Sequence, residues 1–347
     1  MLRVLHDLPS GLLEHGASAL YEILGGPTLI HLPGRREPPL FVSVLLHGNE
    51  DTGWLAAREL LREFQDHELP RALSLFIGNV EAARHGVRML PGQPDFNRIW
   101  EDGIDAGVYK EKTIVRDVVR VMRERGAFAS IDIHNNTGMN PHYACVRRLD
   151  HRFFRLATLF GRTVVYFTKP DGVQPEPFSD FCPAVTIECG RPGQDYGVRH
   201  ALEYLRTCLN LSEIPDHPVA RHDMSLFHTV AVVKIPAQWS IGLEGEGADV
   251  CLVRDIDRLN FQELPTGTVI GWIRQSSGAR LHVSDESGHD ALQRYFRIQN
   301  GTVRTAVPLI PSMFTNDVQA IRQDCLGYLM ETLDGVSQSA QNPRRIP

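Results

Sequence analysis

Short apolar runs that alternate with amphipathic segments restrict the fold of this chain more than any other feature. The runs predict buried strands at Leu40–Leu46, Ala72–Gly78, Ala129–Ile133, His142–Val146, Thr163–Phe167 and Ala184–Glu188. Apolar residues at helical spacing predict helices at Asp51–His67, Thr113–Arg123, Arg152–Phe160 and Tyr196–Leu209. Strands and helices in this alternation predict an α/β fold whose helices cover a central sheet.

The second part of the chain has a different texture. A length of 347 residues favours two domains, and the proline-containing segment 215–218 is typical of a linker. Short alternating segments follow at His228–Ile235, Thr268–Ile273 and Arg294–Gln299. We therefore expect an α/β domain over residues 1–214 and a smaller β-rich domain over residues 215–336, with a final helix inside Asp317–Leu333. The polar residues 337–347 are expected to form a flexible tail.

Charge, hydropathy and cysteine usage narrow the partners and the location. The formal net charge is -6 and Lys and Arg form no long run, which argues against a nucleic-acid partner. The longest apolar run is far shorter than the roughly 20 residues of a membrane helix, and the N-terminus resembles no secretory signal. The six cysteines are dispersed without a CxxC pair, as in a cytoplasmic protein with free thiols. Neither a membrane nor a nucleic acid is expected as a partner, and a homo-oligomer stays open.

Three common enzyme classes lack their motifs. The sequence contains no GxSxG elbow, no P-loop and no GxGxxG followed by a ribose-binding acid. A serine hydrolase, a phosphoryl-transfer enzyme and a Rossmann dehydrogenase are therefore not expected.

His47 and Glu50 form an HxxE pattern where a predicted strand gives way to a predicted helix. Zn²⁺ accepts imidazole nitrogen and carboxylate oxygen, and a catalytic zinc site needs three protein ligands. His134 ends another predicted strand and is the best third candidate, because open α/β sheets place their sites at the carboxyl ends of strands. Asp132 lies on the same side of that strand and is a candidate to orient the imidazole. The alternative for the HxxE pattern alone is a helix-capping acid beside a histidine.

Glu188 ends a third predicted strand. A buried carboxylate is costly unless it is paired or functional. A zinc hydrolase needs a carboxylate that is not a ligand, to take a proton from the attacking water and give it to the leaving amine. Glu188 fits this role, and the alternative is an ion pair with Arg191.

Asn97 and Arg98 stand side by side in a predicted loop. An arginine binds a carboxylate through two parallel hydrogen bonds, and an asparagine adds amide donors. The pair therefore suggests an anionic substrate, against the alternative that Arg98 is a solvated surface residue.

The order of these motifs is similar to that of a known family, the zinc carboxypeptidase superfamily (peptidase family M14), and within it the succinylglutamate desuccinylase/aspartoacylase branch. The resemblance spans about residues 40–210 and rests on Gly78-Asn79 with Arg88 and on four motifs: His47-Gly48-Asn49-Glu50, Asp95-Phe96-Asn97-Arg98, Asp132-Ile133-His134 and Thr186-Ile187-Glu188. It implies a mixed central sheet with helices on both faces, joined to a smaller C-terminal β-rich domain.

The resemblance also implies roles for the metal ligands and the base. His47, Glu50 and His134 would bind one zinc ion per chain, and Glu188 would act as general base and then as general acid. The implied reaction is hydrolysis of the amide bond of a small N-acyl amino acid or a related anionic amide.

Three further residues take roles from the resemblance. Arg88 resembles the arginine that polarises the scissile carbonyl and stabilises the oxyanion. Asn97 and Arg98 resemble the pair that binds the substrate carboxylate.

Two other functions stay open at this point. One is a metallocarboxypeptidase that acts on peptides or cell-wall peptides, and the other is a catalytically silent binding protein of the same fold. The segment Asn135–Tyr143 differs from the continuation in better-known deacylases, so the acyl group and the amine are not predicted. Tyr143 is expected to pack in the next strand, and the alternative is that it reaches the site as an acid or hydrogen-bond donor.

Overall fold

The computed structural model describes residues 2–101 and 109–333, and the predicted tail at 337–347 lies outside them. The strands of the described residues are β1 (Arg3–Leu5), β2 (Thr28–Leu32), β3 (Leu40–Val44), β4 (Leu73–Ile77), β5 (Ala129–His134), β6 (Tyr143–Val146), β7 (Thr163–Tyr166), β8 (Ala184–Glu188), β9 (Ser225–Lys234), β10 (Ile241–Leu243), β11 (Val250–Leu252), β12 (Val269–Ile273), β13 (His282–Asp285), β14 (Phe296–Gln299), β15 (Thr302–Thr305), β16 (Ile310–Ser312) and β17 (Gly327–Thr332). The strands that the apolar runs predict are confirmed, most of them one or two residues shorter.

Helices connect the strands of the first part of the chain. The α-helices are α1 (Leu20–Leu24), α2 (Thr52–Glu63), α3 (Val80–Arg84), α4 (Lys110–Arg125), α5 (His151–Thr158), α6 (Pro175–Phe178), α7 (Asp195–Asn210), α8 (Leu292–Tyr295) and α9 (Val318–Gln323). In α2, Trp54, Ala57, Leu60 and Leu61 form a buried face, and the helix packs against α7. This is the amphipathic pattern that predicted the helix.

A mixed sheet of twelve strands is the largest element of the described residues. Its order is β1-β2-β4-β3-β5-β8-β6-β7-β9-β17-β16, and β13 pairs with β9. The neighbours β4, β3, β5 and β8 run parallel, whereas β6 is antiparallel to β8. Every residue of β3, β4, β5 and β8 is buried, so both faces of this part of the sheet are covered. The predicted α/β class with a mixed central sheet is confirmed.

The described residues contain two large apolar cores and one smaller cluster. The buried residues of the larger core fall between Leu12 and Leu226, and those of the second core fall between Val230 and Leu329. A second sheet of five strands, in the order β10-β11-β12-β15-β14, belongs to the later part. The main sheet nevertheless continues through β9, β17 and β16, so strands from beyond residue 214 extend it. The domain boundary between residues 214 and 215 stays a prediction.

The final helix expected inside Asp317–Leu333 is present as α9, which occupies only the first part of that range. Helix α9 ends at Gln323, and the chain continues as β17 between β9 and β16. Leu326, Leu329 and Met330 are completely buried there. A short run of buried residues without a polar side suits a strand that is covered on both faces. Its short length favours this strand over a helix.

None of the helices in the described residues is both long enough and apolar enough to cross a bilayer.

Candidate metal centre and active site

Three adjacent parallel strands bring the predicted site residues to one edge of the sheet. In the order β3, β5, β8, the strands end at Val44, His134 and Glu188. His134 and Glu188 are direct partners in the register of β5 and β8. Because parallel strands end at the same edge, the turn that follows β3 lies beside both residues.

The turn after β3 directs His47 and Glu50 towards this edge. Leu45 adopts a left-handed conformation with φ 56°, which is uncommon for a leucine, and its carbonyl accepts a hydrogen bond from the Asn79 backbone at 2.6 Å. Gly48 lies so close to α3 that a Cβ there would be 2.3 Å from the Ala83 nitrogen. The turn therefore depends on a glycine at position 48 and on the backbone of the next strand–helix connection.

The carboxylate of Glu50 lies between two imidazoles. Its Oε1 is 2.8 Å from Nδ1 of His47, and its Oε2 is 2.7 Å from Nδ1 of His134. All three residues are buried, and one ligand atom from each lies within 4.8 Å of the others. The structure thus brings together the three predicted metal ligands.

A second carboxylate holds the outer nitrogen of each imidazole. Nε2 of His47 is 3.0 Å from Asp95 Oδ1, and Nε2 of His134 is 2.8 Å from Asp132 Oδ2. The predicted contact of Asp132 with a ligand imidazole is present, whereas the contact of Asp95 with His47 was not predicted. Carboxylates in this position fix the orientation of metal-binding histidines and make them better ligands. Two imidazoles and a carboxylate, oriented in this way, fit a zinc ion.

Charge at the cluster favours ionised carboxylates. Burial alone would raise the pKa of Glu50, but His47 and His134 hold it well below the usual range. Burial would likewise raise the pKa of Asp95, and His47 and Arg88 lower it strongly. Carboxylates that stay ionised in a buried site need a positive partner, which protonated histidines or a cation can supply.

Glu188 is buried beside the cluster and is held by an amide. Nδ2 of Asn136 lies 3.2 Å from Oε2 of Glu188, and burial raises the pKa of Glu188 to about 7. The alternative partner, Arg191, bonds to Asp257 at 2.6 Å instead. An acid with a pKa near neutrality can accept and release a proton under ordinary conditions.

A chain of amides links Glu188 to the C-terminal part of the molecule. Nδ2 of Asn140 donates to Oδ1 of Asn136 at 2.9 Å, and the backbone nitrogen of Met313 donates to Oδ1 of Asn140 at 2.9 Å. The amide-rich segment after His134 therefore orients the candidate base. The sequence signalled it only as a run of asparagines.

Arg88 lies beside the three metal-ligand residues and is held by Asp95. Its Nε and Nη2 donate to Oδ2 of Asp95 at 3.2 and 2.8 Å. Its Nη1 is 3.8 Å from Oε1 of Glu50. Asp95 therefore fixes the edge of the guanidinium that carries Nε and Nη2, and Nη1 lies on the side of Glu50.

Asn97 and Arg98 both lie at the site, and both already have protein partners. Asn97 accepts a hydrogen bond from the Gln174 backbone at 3.1 Å, and its Nδ2 is 3.3 Å from Nε2 of His134. Nη2 of Arg98 lies 3.0 and 2.8 Å from the two oxygens of Asp324. The sequence did not predict that Asp324 reaches this place.

A cavity of about 260 Å³ connects these groups. The first part of the chain contributes an apolar wall, which consists of Tyr143, Cys145, Val165, Phe167 and Val173. Tyr143 both packs in β6, as predicted, and lines the cavity. The C-terminal part contributes a more polar wall, which includes Ser312, Thr315, Asp324 and Tyr328.

Residues 37–211 match the family model described as the succinylglutamate desuccinylase/aspartoacylase catalytic domain. The chain belongs to this family. His47, Glu50, Arg88, His134 and Glu188 all lie inside the segment that matches. The polar wall of the cavity lies outside it, so the family model gives no information on the residues that face Arg98 from the C-terminal side.

Solved structures of desuccinylase/aspartoacylase type share the fold. A succinylglutamate desuccinylase/aspartoacylase from Rhodobacter sphaeroides is 15% identical with a TM-score of 0.58, and 87% of this chain and 88% of that chain are covered. Murine aminoacylase 3 is 16% identical with a TM-score of 0.58, with 86% and 97% covered. The succinylglutamate desuccinylase from Chromobacterium violaceum is 17% identical with a TM-score of 0.53, with 86% of each chain covered. No curated protein matches the sequence.

Proposed function

We propose that this protein is a zinc-dependent amidohydrolase that removes the acyl group from a small N-acyl amino acid or a related amide. The observation that carries the proposal is the convergence of three ligand residues, the Glu188 carboxylate and the Arg88 guanidinium on one cavity. Membership of the desuccinylase/aspartoacylase family supports the same reaction class.

His47, Glu50 and His134 would hold the metal ion. Their donor atoms are the nitrogen and oxygen ligands that zinc prefers, and Asp95 and Asp132 orient the two imidazoles from outside. A zinc ion bound there would polarise the scissile carbonyl and make water nucleophilic near neutral pH.

Glu188 is the proposed general base and then general acid. It takes a proton from the attacking water and gives it to the leaving amine. Asn136 binds one of its oxygens, which orients the carboxylate while the proton moves. Proton transfer by a positioned side chain contributes roughly 10²–10⁴-fold to the rate.

Arg88 is the proposed donor to the developing oxyanion. Asp95 fixes its Nε and Nη2, so its Nη1 needs little rearrangement to bind a negatively charged oxygen beside the cluster. A fixed donor of this kind contributes about 3 kcal/mol to transition-state stabilisation in other hydrolases.

Asn97 and Arg98, which both line the cavity, are proposed to contact the substrate. A carboxylate on the substrate remains the expectation from this pair, and it has to compete with Asp324 for Arg98.

A cytoplasmic location is proposed as well, and it is supported by six free cysteines, of which only Cys251 is not buried.

A small substrate suits the cavity better than a long peptide. Ser312, Thr315 and Tyr328 of the C-terminal part line a cavity of about 260 Å³ together with the apolar wall. This cavity favours the deacylase over a peptidase with an open groove.

The direct test is an assay of the zinc-loaded protein on two sets of compounds. N-acetyl and N-succinyl amino acids test deacylation, and short peptides test removal of a C-terminal residue. We expect release of acetate or succinate from at least one N-acyl amino acid, with slower or no cleavage of peptides. Cleavage of peptides alone, or of no compound in either set, would contradict the proposal.

A further inference from the structure

Asp324 lies where a substrate anion would meet Arg98. It follows helix α9 in the C-terminal part of the chain, and both of its oxygens contact Nη2 of Arg98, at 3.0 and 2.8 Å. Nη2 of Arg88 is 3.4 Å from the same carboxylate. Asp324 and Arg98 are each three-quarters shielded from solvent, so this ion pair is only weakly screened by water.

The other terminal nitrogen of Arg98 and the neighbouring cations also have partners. Nη1 of Arg98 donates to the Asn97 carbonyl at 2.7 Å. Arg88 is bound to Asp95, and Lys169, the other cation of the described cavity wall, contacts Asp171. Each positive side chain that lines the described cavity therefore already has a carboxylate beside it.

The Asp324 carboxylate stays charged over the ordinary pH range. Burial would raise its pKa, but Arg98 and Arg88 beside it outweigh burial and lower the pKa below its usual value. A second carboxylate brought to Arg98 would then lie next to a fixed negative charge, and like charges in a partly buried site repel strongly.

We infer that Asp324 determines how strongly this cavity binds a substrate carboxylate. A carboxylate has to displace Asp324 from Arg98, whereas an uncharged group at the same place does not. Asp324 is thus a specificity-determining residue that favours substrates with a neutral group at Arg98. The inference rests on the proposed function in one respect, because it takes this cavity as the substrate site.

Binding of matched acids and half-amides tests the inference without measuring turnover. The ligands are succinate and glutarate, each compared with its half-amide, succinamate and glutaramate. Each pair keeps one carboxylate for the metal side and differs only in the charge of the other end. Dissociation constants are measured by calorimetry on the zinc-loaded protein, for the unaltered chain and for Asp324→Asn, which keeps the shape of the side chain.

A control variant separates contact with Arg98 from a general change of charge. Asp317 also lines the cavity and caps α9 through bonds to the nitrogens of Gln319 and Ala320, and it has no contact with Arg98 among the described residues. Asp317→Asn removes one negative charge from the same cavity and keeps a capping side chain.

We expect the unaltered protein to bind each diacid no more than about threefold more tightly than its half-amide, whereas Asp324→Asn binds at least one diacid about tenfold or more tightly than before. The dissociation constants of the half-amides should differ by about threefold or less between the unaltered protein and Asp324→Asn. Those of the diacids should differ by about threefold or less between the unaltered protein and Asp317→Asn. The double variant Arg98→Gln/Asp324→Asn should lose the gain, because the freed guanidinium is then missing.

Two results would overturn the inference. One is a gain in Asp324→Asn no larger than that in Asp317→Asn, and the absence of measurable diacid binding to Asp324→Asn counts as the same result. The other, which needs no variant to fold, is an unaltered protein that binds a diacid tenfold more tightly than its half-amide. Because the experiment measures binding and not hydrolysis, it also tests the inference in a protein that has no deacylase activity. If the protein is an active deacylase and one of these two results is found, only this inference is overturned, and the proposed function stands.

Discussion

Two pairs of histidines in this molecule have similar spacing and opposite surroundings. The rings of His47 and His134 are 4.9 Å apart at 60°, and those of His142 and His200 are 5.0 Å apart at 12°. In the first pair every ring nitrogen lies within 3.0 Å of a carboxylate oxygen. In the second pair the two Nδ1 atoms face each other at 2.7 Å, between Phe160 and Tyr196.

The surroundings give the two pairs opposite electrostatic character. Burial would lower the pKa of His134, but Asp132 and Glu50 raise it far above its usual value. Burial and the neighbouring His200 lower the pKa of His142 to about 4. Proximity of two histidines therefore does not distinguish a cation site from an aromatic stack. The carboxylates make the first pair a candidate metal centre, whereas the second pair lies in an aromatic stack.

The largest effect is expected for Glu188, the carboxylate that lies beside the His47–His134 pair but forms no hydrogen bond with either ring in the described part of the chain. Glu188→Gln should keep the metal, because Glu188 is not among the three ligand residues, and should lower kcat by about 10²–10⁴-fold. Steady-state kinetics on the best N-acyl substrate, with metal content measured in parallel, checks this. Glu203→Gln, on the exposed side of α7, is the matched control. Full activity in Glu188→Gln would remove the general-base assignment.

A smaller effect is expected from the carboxylate behind His134. Asp132→Asn should weaken zinc binding by about 10–100-fold, because the imidazole loses its charged partner at Nε2. Competition with a zinc chelator of known affinity measures this. Ser43→Ala removes only the hydroxyl that donates to the far oxygen of Asp132, and its effect should be smaller. Unchanged zinc affinity in Asp132→Asn would mean that the carboxylates do not separate the two pairs.

The second pair should make the fold less stable in mild acid. Since the folded pKa of His142 is about 4 and its ordinary value is 6.5, the unfolded chain takes up the proton first as the pH falls. The stability is complete above about pH 6.5 and declines towards pH 4, by about 1 kcal/mol at pH 5 because solvent screens this half-buried ring. Urea unfolding at pH 7 and pH 5 should show a smaller decline in His142→Gln. An equal decline in both proteins would contradict the assignment.

The smallest effect is expected for metal binding when the second pair is altered. His200→Gln should leave zinc content and zinc affinity unchanged, because this pair has no carboxylate contact among the described residues. Elemental analysis of the purified variant checks the prediction. A loss of zinc that is comparable to the effect of Asp132→Asn would show that the second pair contributes to the metal centre.

Much of the sheet and the metal ligands was predictable from the sequence for a local reason. Residues at the carboxyl ends of buried parallel strands lie at one edge of the sheet. The positions of His134 and Glu188 could therefore be predicted from strands β5 and β8, and those of His47 and Glu50 from the turn after β3. The strands themselves followed from short apolar runs. The range given for the final helix also contains strand β17, because an apolar run such as 326–330 suits a buried strand as well as a helix.

Apart from Asp132, the partners that orient the site were not predictable in this way, because they come from distant parts of the chain. Asp95 meets His47 from 48 residues away, Asn136 meets Glu188 from 52 residues away, and Asp324 meets Arg98 from 226 residues away. No local period or short motif encodes such contacts. They depend on the loop path after α3 and on how the C-terminal strands extend the sheet.

The central claim is that His47, Glu50 and His134 form a zinc centre, and metal analysis tests it most directly. Protein purified without chelator and supplied with zinc is analysed by mass spectrometry of the elements, beside His134→Ala and His200→Gln. We expect about one zinc per chain in the unaltered protein and in His200→Gln, and less than about a tenth of that in His134→Ala. No bound zinc in the unaltered protein, or equal zinc in His134→Ala, would contradict the account.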